Sequence, residues 1–373
     1  RGTIERGRPM YQLLFLIHGM GAGARAANDP TWSAEVIPGL RKSAKPFSHD
    51  RDLVLSSPKA GQVLVVPLTY HQLFDDIRAK WTQQSPSEVG WLPLVAQLAF
   101  SDPQVLPKLP GWVQAAGEFF WTHVLDVLLY RYVAEFTVPI RDEIATQIAT
   151  AWHKADLDNG ANTPVHFVSH SLGTCVLHDA IATLAQDPAF GPGTHQITSI
   201  VTCANVSSIL ETNFGAYTSL DRPVDADPSP GGMTAAYFSF RHELDPIAAV
   251  KTFRGDLHDW PASGYRDEVA IDVKDWNVHG YSHYLDNPIC HLRLFERLWP
   301  NEAWKKRRDP AIDAYKGSPG TPCPTAIAQV RQQLKAILSQ PLHDTPTGFF
   351  DVASRAVRVL QDARAACAVE MGA

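Results

Sequence analysis

The sequence predicts an α/β fold with a mostly parallel central sheet flanked by helices. Apolar runs of strand length alternate with segments of helical periodicity, as is typical of β–α–β units. The first of these runs ends abruptly in a glycine-rich loop, a pattern that indicates a buried central strand. The chain has 373 residues, more than one simple domain usually contains, so we expect one α/β domain with insertions or a tail.

Composition and charge narrow the possible partners. The hydrophobic share of 45% and the charged share of 19% are those of a soluble globular protein. A formal net charge of −6 argues against sequence-independent binding to nucleic acid or to an anionic membrane, since both need a basic surface. The sequence has no apolar run of about 18 residues or more, so stable membrane insertion is not expected.

The cysteines and the first residues of the chain give an expectation for the cellular compartment of the protein. The cysteines are odd in number and never in a CxxC spacing, so we expect reduced or buried thiols, with neither a disulfide framework nor a zinc site. They are Cys175, Cys203, Cys290, Cys323 and Cys367. Residues 1–9 are basic but lack the apolar core of a signal peptide. A cytoplasmic protein is expected, and a secreted one stays open because a leader could have been removed before Arg1.

The predicted elements follow in chain order. Residues 11–17 form an apolar strand, and the loop 18–23 after it has no phosphate-binding motif, so an oxyanion hole is its better use. A second strand is expected at 62–69. Residues 83–121 are rich in proline and large apolar side chains, which indicates a cap or lid over a pocket or, equally, a loop packed on the body.

Residues 163–174 carry the most informative motif of the sequence. It combines an apolar strand, a sharp turn of small residues and the start of an apolar helix, the pattern of a nucleophile elbow that exposes the hydroxyl of Ser171. Ser169 and Gly173 are the small residues that such a tight turn needs on either side of the nucleophile. The alternative is an ordinary strand followed by a serine-capped helix.

Three more strands and several helices are expected after the elbow. The strands lie at 196–203, 235–240 and 269–273, a loop insertion at 211–233, and helices at 289–298, 325–339 and 349–369. We therefore expect an α/β catalytic domain over residues 1–300 and a C-terminal helical extension over 301–373.

A serine hydroxyl becomes a good nucleophile only when an imidazole takes its proton, and the imidazole needs a carboxylate to hold its tautomer. Asp245 follows a predicted strand and is the expected acid, with Glu243 as the weaker choice. Asp245 could instead serve only as a turn former before the proline that follows it. His279 is the expected base because it comes first after the last strand and precedes a glycine, and His283 is the alternative.

The two histidines also form an HxxxH pattern. The zinc-protease form of that pattern needs a glutamate directly after the first histidine, and Gly280 occupies that position. No metal and no cofactor are expected.

Taken together, these motifs resemble the α/β-hydrolase-fold serine esterases and lipases. The resemblance covers about residues 10–300, departs from the usual glycine at Ser169, and does not extend to the C-terminal region. It implies a Ser171–His279–Asp245 triad and an oxyanion hole formed by the backbone N–H groups of Met20 and Leu172. The Trp, Phe and Leu residues of 83–121 favour a small-molecule ester with an apolar acyl or aromatic group. A thioesterase, amidase, phospholipase or non-catalytic binding protein stays open, as does the oligomeric state.

Overall fold

The computed structural model describes most of the chain in a series of ranges. These are residues 11–19, 32–47, 49–84, 127, 129–130, 134–160, 163–191, 194–207, 233–245, 248, 266–271, 274–300, 304–318, 320, 323–339 and 346–371. Met20 lies outside the described residues. The predicted cap or lid at 83–121 and the predicted insertion at 211–233 lie almost wholly outside them.

A single parallel sheet forms the centre of the fold, which confirms the predicted α/β class. Its strands are β1 (Tyr11–Ile17), β2 (Leu53–Val54), β3 (Gln62–Leu68), β4 (Val165–His170), β5 (Ile197–Cys203), β6 (Tyr237–His242) and β7 (Arg266–Ile271). They are arranged in the order β2-β3-β1-β4-β5-β6-β7, and every pairing between neighbours is parallel. Six of the strands have six or seven residues, and the two-residue β2 only extends one edge.

Helices precede or follow the strands. They are α1 (Trp32–Ala44), α2 (His71–Gln84), α3 (Ala134–Asn159), α4 (Leu172–Ala185), α5 (Tyr281–Asp286), α6 (Pro288–Leu298), α7 (Trp304–Gly317), α8 (Pro324–Leu338) and α9 (Pro346–Glu370). None of the described helices is both long and apolar enough to cross a membrane.

Core clusters lie on both faces of the sheet, which explains the nearly continuous apolar run of its central strand β1. In β1, Phe15 and Ile17 pack in one core cluster with side chains of α3 and α4, whereas Leu14 and Leu16 pack in a second cluster with side chains of α1 and α6. Helices α8 and α9 contribute side chains to both clusters.

A disulfide joins Cys323, which precedes α8, to Cys367 in α9, with an S–S distance of 2.06 Å. The expectation that all five cysteines are thiols is therefore wrong for this pair. The two residues are 44 positions apart, and only the packing of α8 against α9 brings them together. Cys175, Cys203 and Cys290 are buried thiols outside any disulfide, as expected.

The strand order reverses direction next to β1, because β3 and β2 lie on one side of it and β4 to β7 lie on the other. In open parallel sheets, the loops at such a point separate beyond the carboxyl ends of the strands and leave a crevice where ligands bind. The loop after β1 and the elbow after β4 are the two segments that meet here.

Candidate functional site

Ser171 lies at the sharp turn between β4 and α4. Its backbone has φ 52° and ψ −128°, a conformation that costs a non-glycine residue free energy and is found mostly at functional sites. Its N–H donates to the carbonyl of Cys203 at 3.0 Å, which anchors the turn to β5. The Ser171 side chain does not cap α4, so the alternative of an ordinary serine-capped helix does not apply.

Two glycines let neighbouring segments approach this turn. A Cβ atom added to Gly173 would lie 2.3 Å from the carbonyl oxygen of His18, so only glycine allows α4 to pack on the end of β1. A Cβ atom on Gly19 would lie 2.5 Å from Cβ and 3.1 Å from Oγ of Ser171. The loop after β1 therefore passes directly against the serine.

Ser171, His279 and Asp245 form a continuous hydrogen-bonded line. His279 Nε2 lies 2.8 Å from Ser171 Oγ, and His279 Nδ1 lies 2.7 Å from Asp245 Oδ2. All three side chains are buried. Because a carboxylate only accepts, Nδ1 carries the proton, which leaves the lone pair of Nε2 directed at the serine hydroxyl.

The Asp245 carboxylate has further partners that fix its orientation. Its Oδ1 accepts from the N–H of Ala248 at 3.1 Å, and its Oδ2 also accepts from the Tyr284 hydroxyl at 3.2 Å. The Tyr284 oxygen in turn accepts from the N–H of His242 at 2.8 Å. Burial raises the pKa of Tyr284 well above its usual range, so the hydroxyl stays protonated and can donate to the carboxylate.

The alternative acid and base lie elsewhere. Glu243 forms an ion pair with Arg331 of α8. His283 is 29% exposed and its Nε2 lies 3.9 Å from Asp275, in an ion-pair geometry on the outer side of α5. The structure thus brings Asp245 and His279 to Ser171, and places Glu243 and His283 against other partners.

His170 supports the loop that carries His279. Its Nε2–H donates to the backbone carbonyl of His279 at 2.5 Å, and its ring stacks on that of Tyr281 with 4.9 Å between centres. The Tyr281 hydroxyl donates to the carbonyl of Val168 in β4 at 3.0 Å. The elbow strand and the histidine loop are therefore joined by contacts that do not involve the serine.

Of the two expected oxyanion donors, Leu172 lies among the described residues. Leu172 is the first residue of α4, where helical N–H groups have no carbonyl partner within the helix and the helix dipole favours negative charge. Its N–H directly follows the serine, as an oxyanion donor must. Met20, the other expected donor, lies outside the described residues.

Three of the residues around the triad were not singled out from the sequence: His170, Tyr281 and Tyr284. Tyr281 and Tyr284 are three positions apart, a spacing that places side chains on one face of a helix, so the short helix after His279 could have been predicted to present both inward. No comparable signal marks His170, because a histidine within an apolar strand is most often a packed side chain.

The arrangement suits nucleophilic chemistry at an acyl carbon. Among the described residues, no group of three or more His, Cys, Asp or Glu side chains is placed to hold a metal ion.

Neither protein-family models nor curated proteins give a match to this chain.

Proposed function

We propose that this protein is a serine hydrolase that cleaves carboxylic esters on an α/β-hydrolase fold. The observation that carries the proposal is the buried line from Ser171 Oγ through His279 to Asp245, with contacts of 2.8 and 2.7 Å. A serine in a strained turn, bonded to an imidazole that is itself bonded to a buried carboxylate, matches the requirements of an activated nucleophile.

The proposed reaction has two displacements. His279 Nε2 takes the proton of Ser171 as Oγ attacks the ester carbonyl, and Asp245 stabilises the imidazolium that forms. The oxyanion accepts hydrogen bonds from the N–H groups of Leu172 and, as the resemblance implies, Met20. Collapse expels the alcohol, which takes the proton from His279. A water molecule activated by the same imidazole then attacks the acyl-enzyme and releases the acid.

Two features of the fold support this assignment. The triad residues occur in the order serine, aspartate, histidine, and they follow β4, β6 and β7, the order typical of α/β-hydrolases. The serine also lies where the strand order reverses, the position at which open parallel sheets bind ligands.

Substrate and compartment complete the proposal. The apolar side chains of residues 83–121 favour an apolar acyl or aromatic ester. The same triad serves thioesterases, amidases and phospholipases, which differ from an esterase in the group that leaves the acyl carbon. The Cys323–Cys367 disulfide favours an oxidising compartment over the cytoplasm, since cytosolic thiols are kept reduced.

The test is hydrolysis of p-nitrophenyl esters of increasing acyl length, followed by mass spectrometry after reaction with a fluorophosphonate probe. Ser171→Ala is expected to lower kcat by at least about 10⁴-fold and to lose the label, because the nucleophile is gone. His279→Ala should lower kcat comparably. His283→Ala is the matched control and should keep most of the activity.

Two results would contradict the proposal. An enzyme that neither turns over any ester nor reacts with the probe would favour a binding protein on the same fold. Loss of activity in His283→Ala with retention in His279→Ala would transfer the role of base to His283.

A further inference from the structure

The side chain of Tyr70, which follows β3, makes two contacts with the loop after β1. Its hydroxyl donates to the backbone carbonyl of His18 at 2.7 Å. Its ring stacks on the His18 ring, with 4.8 Å between the ring centres and 3° between the ring planes. Both residues are only 1% exposed, so water does not compete for either contact.

The hydrogen bond has a defined direction. Burial raises the pKa of Tyr70 well above its usual range, so the hydroxyl keeps its proton and donates it to the carbonyl, which can only accept. The same carbonyl oxygen packs against the first turn of α4, because a Cβ atom added to Gly173 would lie 2.3 Å from it. The end of β1 is therefore in contact with both Tyr70 and the helix that follows the nucleophile.

The backbone that carries Tyr70 is itself anchored. The Gln147 side chain of α3 donates to the carbonyl of Thr69 at 2.9 Å and accepts from the N–H of Thr69 at 3.2 Å. The carbonyl of Tyr70 accepts from the N–H of Leu73 at 3.2 Å, in the first turn of α2. Tyr70 is thus held in place by two helices and is suited to hold a neighbouring loop.

The segment that Tyr70 contacts lies against the nucleophile. Gly19 follows His18, and a Cβ atom added to Gly19 would lie 2.5 Å from Cβ of Ser171. Nδ1 of the His18 ring is hydrogen-bonded to the Gly19 carbonyl. Tyr70 therefore acts on two successive carbonyls, on that of His18 through its hydroxyl and on that of Gly19 through the ring on which it stacks.

The directions of these carbonyls matter for catalysis. A peptide unit is planar and trans, so the direction of a carbonyl determines the direction of the N–H that follows it. The Gly19 carbonyl shares its peptide unit with the N–H of residue 20, which the resemblance implies as an oxyanion donor. Such a donor is effective only when it is directed beforehand at the charge that develops in the transition state.

We propose that Tyr70 is a positioning residue for the oxyanion hole, holding the His18–Gly19 segment so that the N–H that follows it is directed at the oxyanion. This inference rests on the proposed ester hydrolysis. It adds a residue that acts through the loop after β1 and not through the triad.

The test is Tyr70→Phe, which keeps the ring on His18 and removes only the hydroxyl. With p-nitrophenyl butyrate, kcat should fall about tenfold. Complete removal of an oxyanion donor costs about 10²–10³-fold, and here the donor is present but less firmly held. KM should stay within about twofold, because the bound ester has not yet developed the oxyanion. One hydrogen bond is a small part of the stability of a domain, so the variant should fold.

A transition-state analogue gives a second measurement. The Ser171 oxygen adds to the boron of butylboronic acid while its proton passes to His279, which gives a tetrahedral anion with an oxygen in place of the oxyanion. Tyr70→Phe should raise the inhibition constant of this compound about tenfold, in parallel with the fall in kcat. A loss of stability alone would not change that constant in proportion to kcat.

Tyr11→Phe is the matched control. Tyr11 is also a buried tyrosine whose hydroxyl donates to a defined partner, Asp158, but it lies at the start of β1, whereas His18 follows the end of that strand. Tyr11→Phe should keep kcat and the inhibition constant within about twofold of wild type, whatever its effect on the melting temperature.

Three results would overturn the role of Tyr70. They are wild-type kcat in Tyr70→Phe, a fall in kcat without the matching rise in the inhibition constant, and an equal fall in kcat in Tyr11→Phe. The proposed function fails on a different observation, a wild-type enzyme that hydrolyses no ester and whose Ser171 stays unlabelled by the fluorophosphonate probe. That result would overturn both proposals, whereas the first three leave the ester hydrolysis standing.

Discussion

The two ends of the parallel sheet bury polar side chains in different ways. At the amino end, His166 of β4 has both ring nitrogens paired, Nδ1 with Ser199 Oγ at 2.8 Å and Nε2 with Gln12 Oε1 at 3.0 Å. The Tyr11 hydroxyl donates to Asp158 of α3 at 2.9 Å. These contacts join the starts of strands to each other and to a helix. Each polar group here has a hydrogen-bond partner within the protein, so the contacts stabilise the fold.

At the carboxyl end, the segments that follow or pack against the strands carry features that cost stability. Ser171 has a positive φ, Nε2 of His18 and Nε1 of Trp32 have no hydrogen-bond partner among the described residues, and Asp245 is a fully buried carboxylate. Local departures from the rules of stability are expected where a protein functions, and must be offset elsewhere. The comparison therefore indicates that β1 and β4 provide stability at one end and chemistry at the other.

Among changes that keep both Ser171 and His279, the largest effect is expected for Asp245→Asn. The amide N–H₂ would donate to His279 Nδ1 and force the proton onto Nε2, which could then no longer accept the serine proton. We expect kcat to fall by about 10⁴-fold with the fold intact. The measurement is steady-state hydrolysis of a p-nitrophenyl ester, with circular dichroism to check folding.

Glu243→Gln is the control for this change, since Glu243 lies two residues away but pairs with Arg331 on the protein surface. It should change kcat by less than about twofold, as expected for an exposed ion pair. Loss of activity in Glu243→Gln together with retention in Asp245→Asn would transfer the role of the acid to Glu243.

Much of the fold and of the site could be predicted from the sequence because both leave local patterns. The apolar runs of β1 and β4 predict buried parallel strands, and small residues around Ser171 predict its turn. Asp245 was favoured because it follows a late predicted strand, and His279 because it comes first after the last strand and precedes a glycine. The structure joins both to Ser171 in one hydrogen-bonded line.

The rest depends on contacts between distant residues, which no local pattern reports. The Cys323–Cys367 disulfide forms only because α8 packs on α9. His18, Trp32 and His71 come together because the end of β1, α1 and α2 converge in space, although His18 is 53 positions before His71. The two-residue β2 is too short to show any periodicity.

A smaller effect on turnover is expected for His170→Phe. The phenyl ring can keep the stack on Tyr281, but the hydrogen bond from His170 Nε2 to the His279 carbonyl is lost. We expect kcat to fall about tenfold, which is about 1.4 kcal/mol of activation free energy and comparable to the net contribution of one hydrogen bond, with KM nearly unchanged.

Two measurements distinguish positioning of the base from a general loss of stability. His170→Gln keeps an N–H near the same place and should recover part of the lost kcat, whereas a purely structural defect would not respond to this choice. Equal losses in kcat for the phenylalanine and glutamine variants, with parallel drops in melting temperature, would show that His170 acts only in folding.

The smallest effect on turnover is expected at the amino end, for His166→Gln, which should leave kcat/KM within about twofold. The variant should instead change how the free energy of unfolding depends on pH. Burial lowers the pKa of His166 to about 3, so between its ordinary pKa of 6.5 and about 3 only the unfolded chain binds this proton.

The sign follows from that difference in proton binding. The stability that His166 contributes is complete above about pH 6.5 and is lost as the pH falls toward 3, at up to about 1.4 kcal/mol per pH unit. His18 and His291, whose pKa values burial lowers to about 4, add slopes of the same sign that the variant keeps. Urea unfolding at pH 7, 6, 5 and 4 should therefore give a shallower acid slope for His166→Gln than for wild type. If the free energy of unfolding fell equally steeply with pH in both proteins, His166 would already be protonated in the folded protein. The amino end of the sheet would then not bury a neutral, hydrogen-bonded histidine.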